Sequence, residues 1–284
     1  MSEYIIMTDS CCDLSDEMAK ELELNVVPLT VHLEGKDYPN YLDGSAISNA
    51  EFYGAIRAGK VASTSAANVG QFQDAMRAVL DTGKDIVCVC FSSALSTTYQ
   101  SATIAADDLR ADYPEREIYV VDSLSASLGQ GLLIYLTVQQ KRAGLSAKEL
   151  ADWVVSNRLS VDDLNYLKRG GRVSATSALL GTMLSIKPVM HTSDEGKLVP
   201  VGKVRGRKAS LNALIDKIGE LGVAPEKQTM FICQADCEDE ARWVADQIKA
   251  RYGTPEVHIN FIGPVIGSHT GPNTIGIFFV GKER

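Results

Sequence analysis

Residues 91–102 read FSSALSTTYQSA, directly after the apolar run DIVCVC, and place seven hydroxyl side chains within ten positions: Ser92, Ser93, Ser96, Thr97, Thr98, Tyr99 and Ser101. Hydroxyls at the start of a helix accept from its orphan backbone N–H groups. The same helix start also presents free donors and a partial positive charge that suit an anion. VASTSAAN, residues 61–68, repeats the pattern ahead of a second helical stretch. Two such starts at one cleft would hold a carboxylate or phosphate without Lys or Arg. His269 stands in GSHTGP between Gly267 and Gly271, a small-residue turn with no apolar face for the imidazole to serve. It is the candidate polar partner; His32, His191 and His258 read as structural or exposed.

Other chemistries find less support. Ser96 could pair with His269, with Asp9 or Asp122 orienting the ring, so a serine-dependent hydrolase or acyltransferase is the alternative. The Gly-x-Ser-x-Gly elbow of α/β-hydrolases is missing. LKRGGRVS gathers Lys168, Arg169 and Arg172, and KVRGRK at 203–208 adds further positive charge, but neither is a Walker loop. They read as a solvated surface or as an anion or partner contact. SLGQG at 127–131 lacks the third glycine of a dinucleotide fingerprint. The six cysteines fall in the pairs Cys11/Cys12, Cys88/Cys90 and Cys233/Cys237 without Cys-x2-Cys spacing, which predicts reduced structural thiols, with a reactive Cys11/Cys12 as the lesser reading. No dense His/Asp/Glu cluster calls for a metal, and no cofactor is expected.

Stepping along the chain, short apolar runs alternate with helical patterns, which predicts an α/β protein with mostly parallel sheets. The 284 residues are read as two α/β domains, 1–157 and 158–284. YIIMTDS, NVVPLTVHL, DIVCVCF and EIYVVDS are expected strands of the first. Three of them end in MTDS, FSS and VVDS, delivering hydroxyls and carboxylates to the sheet edge where ligands bind in open α/β folds. In the second half, VDDLNYLKRGGRVSA is expected as a polar turn and KPVMHTSDEGKLVPVGKVRGRKAS as a hairpin turning at SDEG. TMFICQAD, VHINFIG and the last apolar run are expected strands. A net charge of −8 disfavours nucleic acid and anionic lipid surfaces. The N-terminus carries no signal-peptide pattern, and no apolar run nears the roughly 20 residues of a membrane span, so a cytoplasmic protein is expected.

Taken together, IMTDSCCDLS, STSAAN, FSSALSTTYQSA, VVDSLSASLGQG, LNYLKRGGRVS, KPV, VRGRKAS and SHTGPNTIG resemble, in order and over nearly the whole chain, the motifs of the DegV family. The resemblance implies two α/β domains with a long-chain fatty acid, of the palmitate, stearate or oleate class, in a tunnel between them. It implies a binding protein rather than an enzyme, presenting the acyl carboxylate to a separate fatty acid kinase that makes acyl-phosphate for phospholipid synthesis. Position by position, Thr64 and Ser65 match the family's Thr-Ser pair, and Ser96 and Thr97 its Leu-Ser-Gly-Thr motif. His269 and the Gly-Gly-Arg residue Arg172 complete the expected polar end. Arg205 and Arg207 are expected to face the kinase. Leu128, Leu132, Ile134, Leu179, Leu180, Met183 and Ile186 are candidates for the tunnel lining. Thr97 replaces a glycine, which narrows the expected mouth, Ala67 replaces a proline, and Asn273 replaces a glycine at a position where left-handed geometry is tolerated. The stretch between WVVSNRLS and VDDL is shorter than is usual in the family, where an apolar strand opens the second domain; either that strand is missing, which would change a sheet edge or the tunnel wall, or the sequence is altered at that place.

Overall fold

The computed structural model describes residues 3–166 and 186–282, without the side chains of 163–166 and 186–188. Four parallel strands form the first sheet: β1 (Tyr4–Asp9), β2 (Asn25–Val27), β6 (Asp85–Cys90) and β7 (Ile118–Asp122), in the order β2-β1-β6-β7. β6 is buried along its whole length, as expected of a central parallel strand covered on both faces. The helices of this half are α1 (Asp16–Glu21), α2 (Asn49–Arg57), α3 (Val69–Leu80), α4 (Thr98–Asp112), α5 (Leu128–Arg142) and α6 (Ala147–Asn157). Capping boxes open three of them: Ser48 with Glu51, Asn68 with Gln71, and Ser146 with Glu149.

NVVPLTVHL is not one strand. Pro28 lacks the N–H a ladder needs, and the run breaks there into β2 and β3 (Thr30–Leu33). β3 joins β4 (Lys36–Pro39) and β5 (Ala62–Ser65) in a small antiparallel sheet, order β4-β3-β5. The hydroxyls of STSAAN therefore lie on a strand, and its last residue, Asn68, caps α3.

The second half departs further from expectation. β8 (Val161–Tyr166), β9 (Ile186–Thr192), β10 (Leu198–Arg205), β11 (Thr229–Gln234), β12 (Glu256–Phe261) and β13 (Ile275–Val280) form a six-stranded sheet ordered β10-β9-β8-β13-β11-β12. Among the described strands of this sheet only β11 and β12 pair in parallel; the other pairs are antiparallel, against the expectation of mostly parallel sheets. Parallel neighbours need a crossover, and α8 (Glu238–Tyr252) provides one between β11 and β12. The SDEG turn instead folds β9 straight back onto β10. α7 (Arg207–Leu221) and the short α9 (Pro264–Thr270) complete the described helices.

VDDLNY is a strand inside this sheet, paired with both β13 and β9, so the opening strand is not missing: β8 supplies it. Its polar residues hid it: Asp162 is fully buried and meets His191 Nε2 at 2.5 Å.

Residue 157 closes α6, and the strands of the two smaller sheets precede it while those of the six-stranded sheet follow it. The apolar core does not divide there. Phe231, Cys233, Ala235, Ile262, Val265 and Phe278 belong to the same buried cluster as Ile6, Val87 and Leu132, while a second cluster packs α7 and α8 on the far sheet.

The β9–β10 turn reaches back to the first half, where Ser92 Oγ donates to Gly196 O at 2.9 Å. Gly196 has φ +74°, and a Cβ there would lie 2.3 Å from Ser92 Oγ and 3.0 Å from Leu124 Cα. Gly196→Ala combines a left-handed backbone with that clash, and should lower unfolding free energy by about 1–3 kcal/mol in urea titration. Wild-type stability in the variant would contradict this docking.

Candidate functional site

A cavity of about 430 Å³ opens where the halves meet, within the range of roughly 300–1,000 Å³ common to small-molecule sites. Leu29, Phe91, Leu95, Leu198, Val265 and Ile266 give it apolar walls, and Thr64, Ser93, Ser96, Thr97, His269 and Thr270 bring polar groups. Alternation along β5 turns Thr64 inward and Ser65 outward. The inward Thr64 Oγ1 shares a 2.8 Å hydrogen bond with His269 Nε2, joining β5 to α9 across 205 positions of sequence. His269 is on the last turn of a helix that starts with Pro264 after the cap Gly263, and not in a loose glycine turn.

The FSSALSTTYQSA hydroxyls divide their tasks. Ser92 is buried and holds the hairpin turn. Ser96 Oγ accepts from Thr98 N at 3.2 Å and meets Thr98 Oγ1 at 2.9 Å, which fixes the start of α4. Thr97, the residue preceding α4, makes no side-chain cap bond, so its hydroxyl stays at the exposed cavity rim with Ser93. The start of α4 therefore lies at the cavity, where the first-turn N–H groups of this helix favour negative charge.

Of the residues expected at the ligand, Thr64, Ser96, Thr97 and His269 line this one cavity. Ser65 does not: its Oγ meets His32 Nε2 at 2.6 Å on the opposite sheet face, and His32 Nδ1 meets Asp37 at 2.6 Å. Arg172 lies outside the described residues, as do Lys168, Arg169, Leu179, Leu180, Met183 and the side chain of Ile186. Leu132 and Ile134 are fully buried in the packed core, and Leu128, 1 % exposed, borders a separate small cavity of about 70 Å³; none of the three lines the 430 Å³ cavity. Apolarity alone does not separate core from lining. Arg205 is exposed near the end of β10, but Arg207 is half-buried and forms a two-point pair with Glu240, at 2.9 and 2.6 Å. Arg207 thus shares its charge with Glu240.

Thr270 is a polar lining residue that sequence reading passed over. Its hydroxyl is buried with no hydrogen-bond partner among the described residues, and adjacency to His269 was the one available clue. Asn273 has φ +66°, the left-handed geometry expected of it, and accepts from Arg57 Nη2 at 3.0 Å.

Asp9 and Asp122 do other work than orienting an imidazole. Asp9 accepts from Phe91 N at 2.7 Å and Cys11 N at 3.0 Å; Asp122 Oδ1 accepts from Ser93 N at 3.2 Å and Leu124 N at 2.9 Å. Both carboxylates thus shape the backbone entering the hydroxyl-rich loop. Burial pushes the Asp9 carboxyl up to about 6, against the lowering effect of its amide donors, and the buried Asp13 carboxyl up to about 7. Burial also raises the Cys11 and Cys12 thiols, first by desolvation and then through the nearby Asp9 and Asp13, which makes both poor nucleophiles. None of the six cysteines is in a disulfide. Among the described residues no group of three or more His, Cys, Asp and Glu could hold a metal, and no helix is long and apolar enough to cross a membrane.

A family model described as "Uncharacterised protein, DegV family" matches residues 4–282. A DegV domain-containing protein of Clostridium perfringens is 40% identical over 290 residues, spanning 100% of this chain and 99% of its own. Among solved structures, a DegV family protein from Thermus thermophilus, described with fatty acid binding, superposes with a TM-score of 0.85 at 27% identity over 99% of this chain and 100% of its own. A DegV lipid binding protein from Thermotoga maritima gives 0.85 at 27% identity, over 99% of each chain.

The raised carboxyls have a measurable consequence. Their folded values exceed the unfolded value of about 3.9, so the native state binds the extra protons between about pH 4 and 7. Each therefore subtracts stability as pH rises through that window. Asp9→Asn removes one such contribution, and its unfolding free energy relative to wild type should grow by on the order of 3 kcal/mol between pH 4 and pH 7.5. Urea titrations giving a pH-independent difference would contradict the assignment.

Proposed function

The chain belongs to the DegV family, and from that premise we propose that its cavity buries one long-chain fatty acid of the palmitate, stearate or oleate class. The observation that carries this reading is the Thr64–His269 hydrogen bond set within otherwise apolar walls. A carboxylate entering such a place needs several donors or a cation, or it stays protonated. Thr64, His269, the rim hydroxyls of Ser93 and Thr97, and the start of α4 are the donors at hand, with Ser96 holding that helix start in place. The relatives from Thermus thermophilus and Thermotoga maritima, described as binding fatty acid and lipid, support the same ligand class. Burying about 14 methylenes at roughly 0.8 kcal/mol each gives a gross term near 11 kcal/mol before ordering costs.

On this reading the protein is a cytoplasmic carrier and not a catalyst. It needs no cofactor, and it presents the carboxylate to a separate fatty acid kinase. Arg205, exposed at the end of β10, is a charge available for that partner, and Arg207 pairs with Glu240. The carrier reading is favoured over the Ser96–His269 hydrolase because Ser96 Oγ serves the start of α4 and the two candidate orienting carboxylates bind backbone amides.

Calorimetric titration with oleate tests the assignment. Thr64→Val and His269→Ala should each weaken binding about tenfold, the worth of one hydrogen bond to a charged group. Arg205→Glu should leave oleate affinity unchanged and lower acyl-phosphate formation by the kinase of the same organism. Turnover of an ester by the wild type, lost in Ser96→Ala, would replace the carrier with the enzyme.

A further inference from the structure

Asp13 is a buried carboxylate that the ligand reading leaves unused. It follows a turn of 3-10 helix, Ser10–Cys12, that continues from β1, and takes a left-handed backbone at φ +50°. Its Oδ2 accepts from Ser127 Oγ at 2.6 Å and its Oδ1 from Gly263 N at 3.0 Å, while its backbone carbonyl accepts from Asn260 Nδ2 at 2.8 Å. One residue thus ties together three segments: the end of β1, the strained residue before α5 (Ser127, φ +53°), and the chain that runs from β12 into α9. The fit at the last tie is close, because a Cβ on Gly263 would come within 2.6 Å of Asp13 Oδ1.

Gly263 is the cap of α9, and Val265, Ile266, His269 and Thr270 of that helix line the cavity. A seven-residue helix moves as a rod, so the place where it starts decides where its last turn lies. Tyr53, donating to Ile262 O at 2.7 Å, holds the same entry point from α2. We propose that Asp13 is a positioning residue of the site: its carboxylate fixes the start of α9 and thereby the register in which His269 meets Thr64. Two donors converge on two oxygens of one side chain, an arrangement an amide meets with a single acceptor. Among the described residues the ionisable groups that act on it are Asp9, Cys11, Cys12 and Tyr53, none of them a cation, which fits a role in orienting backbone.

The ligand readout of this proposal rests on the fatty-acid reading; the placement of His269 does not. Asp13→Asn and Ser127→Ala, with Lys20→Ala as a surface control, are compared by oleate titration, by thermal unfolding at pH 8 and by the side-chain 15N signals of His269 in a labelled sample. The proposal expects Asp13→Asn to bind oleate about tenfold more weakly and to shift the His269 signals. Its Tm should be no lower than that of wild type, since a buried charge has been removed. Ser127→Ala should shift the same signals to a smaller degree and stands in should Asp13→Asn not fold. Unchanged His269 signals in both variants overturn the proposal. So does a loss of affinity that only follows a loss of Tm, because that describes a structural residue. If wild type takes up no oleate, the fatty-acid reading falls, and the His269 signals still decide whether Asp13 positions the helix.

Discussion

Thr64 and His269 come from opposite ends of the chain, and the hydrogen bond between them exists only while β5 and α9 stay docked. That one contact constrains much of the rest. The apolar core must run without a break from the parallel sheet into β11, β13 and the start of α9, as it does through Phe231, Phe278 and Val265. Polar ties then set the register that apolar packing leaves loose. Arg57 at the end of α2 pairs with Asp236 and donates to Asn273, Tyr53 holds Ile262 O, and Asn260 reaches Asp13 O. The exposed Arg57 contacts add little stability of their own, and the Tyr53 and Asn260 bonds are buried or half-buried. They specify which of several similar packings is adopted.

Hydroxyls, an imidazole and a helix start do the polar work at the cavity, in a protein of net charge −8. Small neutral donors have a physical advantage beside an apolar wall. They cost less to bury than an ammonium or guanidinium, and they can be satisfied by one another in the absence of ligand. Ser96 and Thr98 show this directly, each completing the other's hydrogen bonding. Asp9 and Asp122 sit one step behind, holding the backbone of Phe91, Ser93 and Leu124. Their acidity is spent on shape.

The alternation of apolar strands and helical segments, and the clustering of hydroxyls after β6, were legible in the sequence because they follow period and residue type. The second sheet was less so. Its antiparallel order comes from which strands meet, a long-range choice that composition does not encode, and β8 was hidden by the aspartates of VDDLNY. At the site, Thr64, Ser96, Thr97 and His269, named from the hydroxyl clusters, the small-residue turn and the resemblance, line one cavity. The resemblance carried Ser65 along with its neighbour, yet strand alternation sends it to the opposite face, toward His32. Arg207 shows a similar limit, since its pairing with Glu240 depends on how α7 lies beside α8. Leu132 and Ile134 were indistinguishable from lining residues until packing was known.

The central claim is that this cavity holds a fatty acid by its carboxylate. Its most direct test is native mass spectrometry of the protein as purified, followed by denaturing release and identification of whatever is bound. The account predicts one long-chain fatty acid per chain, retained through purification and displaced by added oleate. A protein that emerges empty and takes up neither oleate nor palmitate would contradict it.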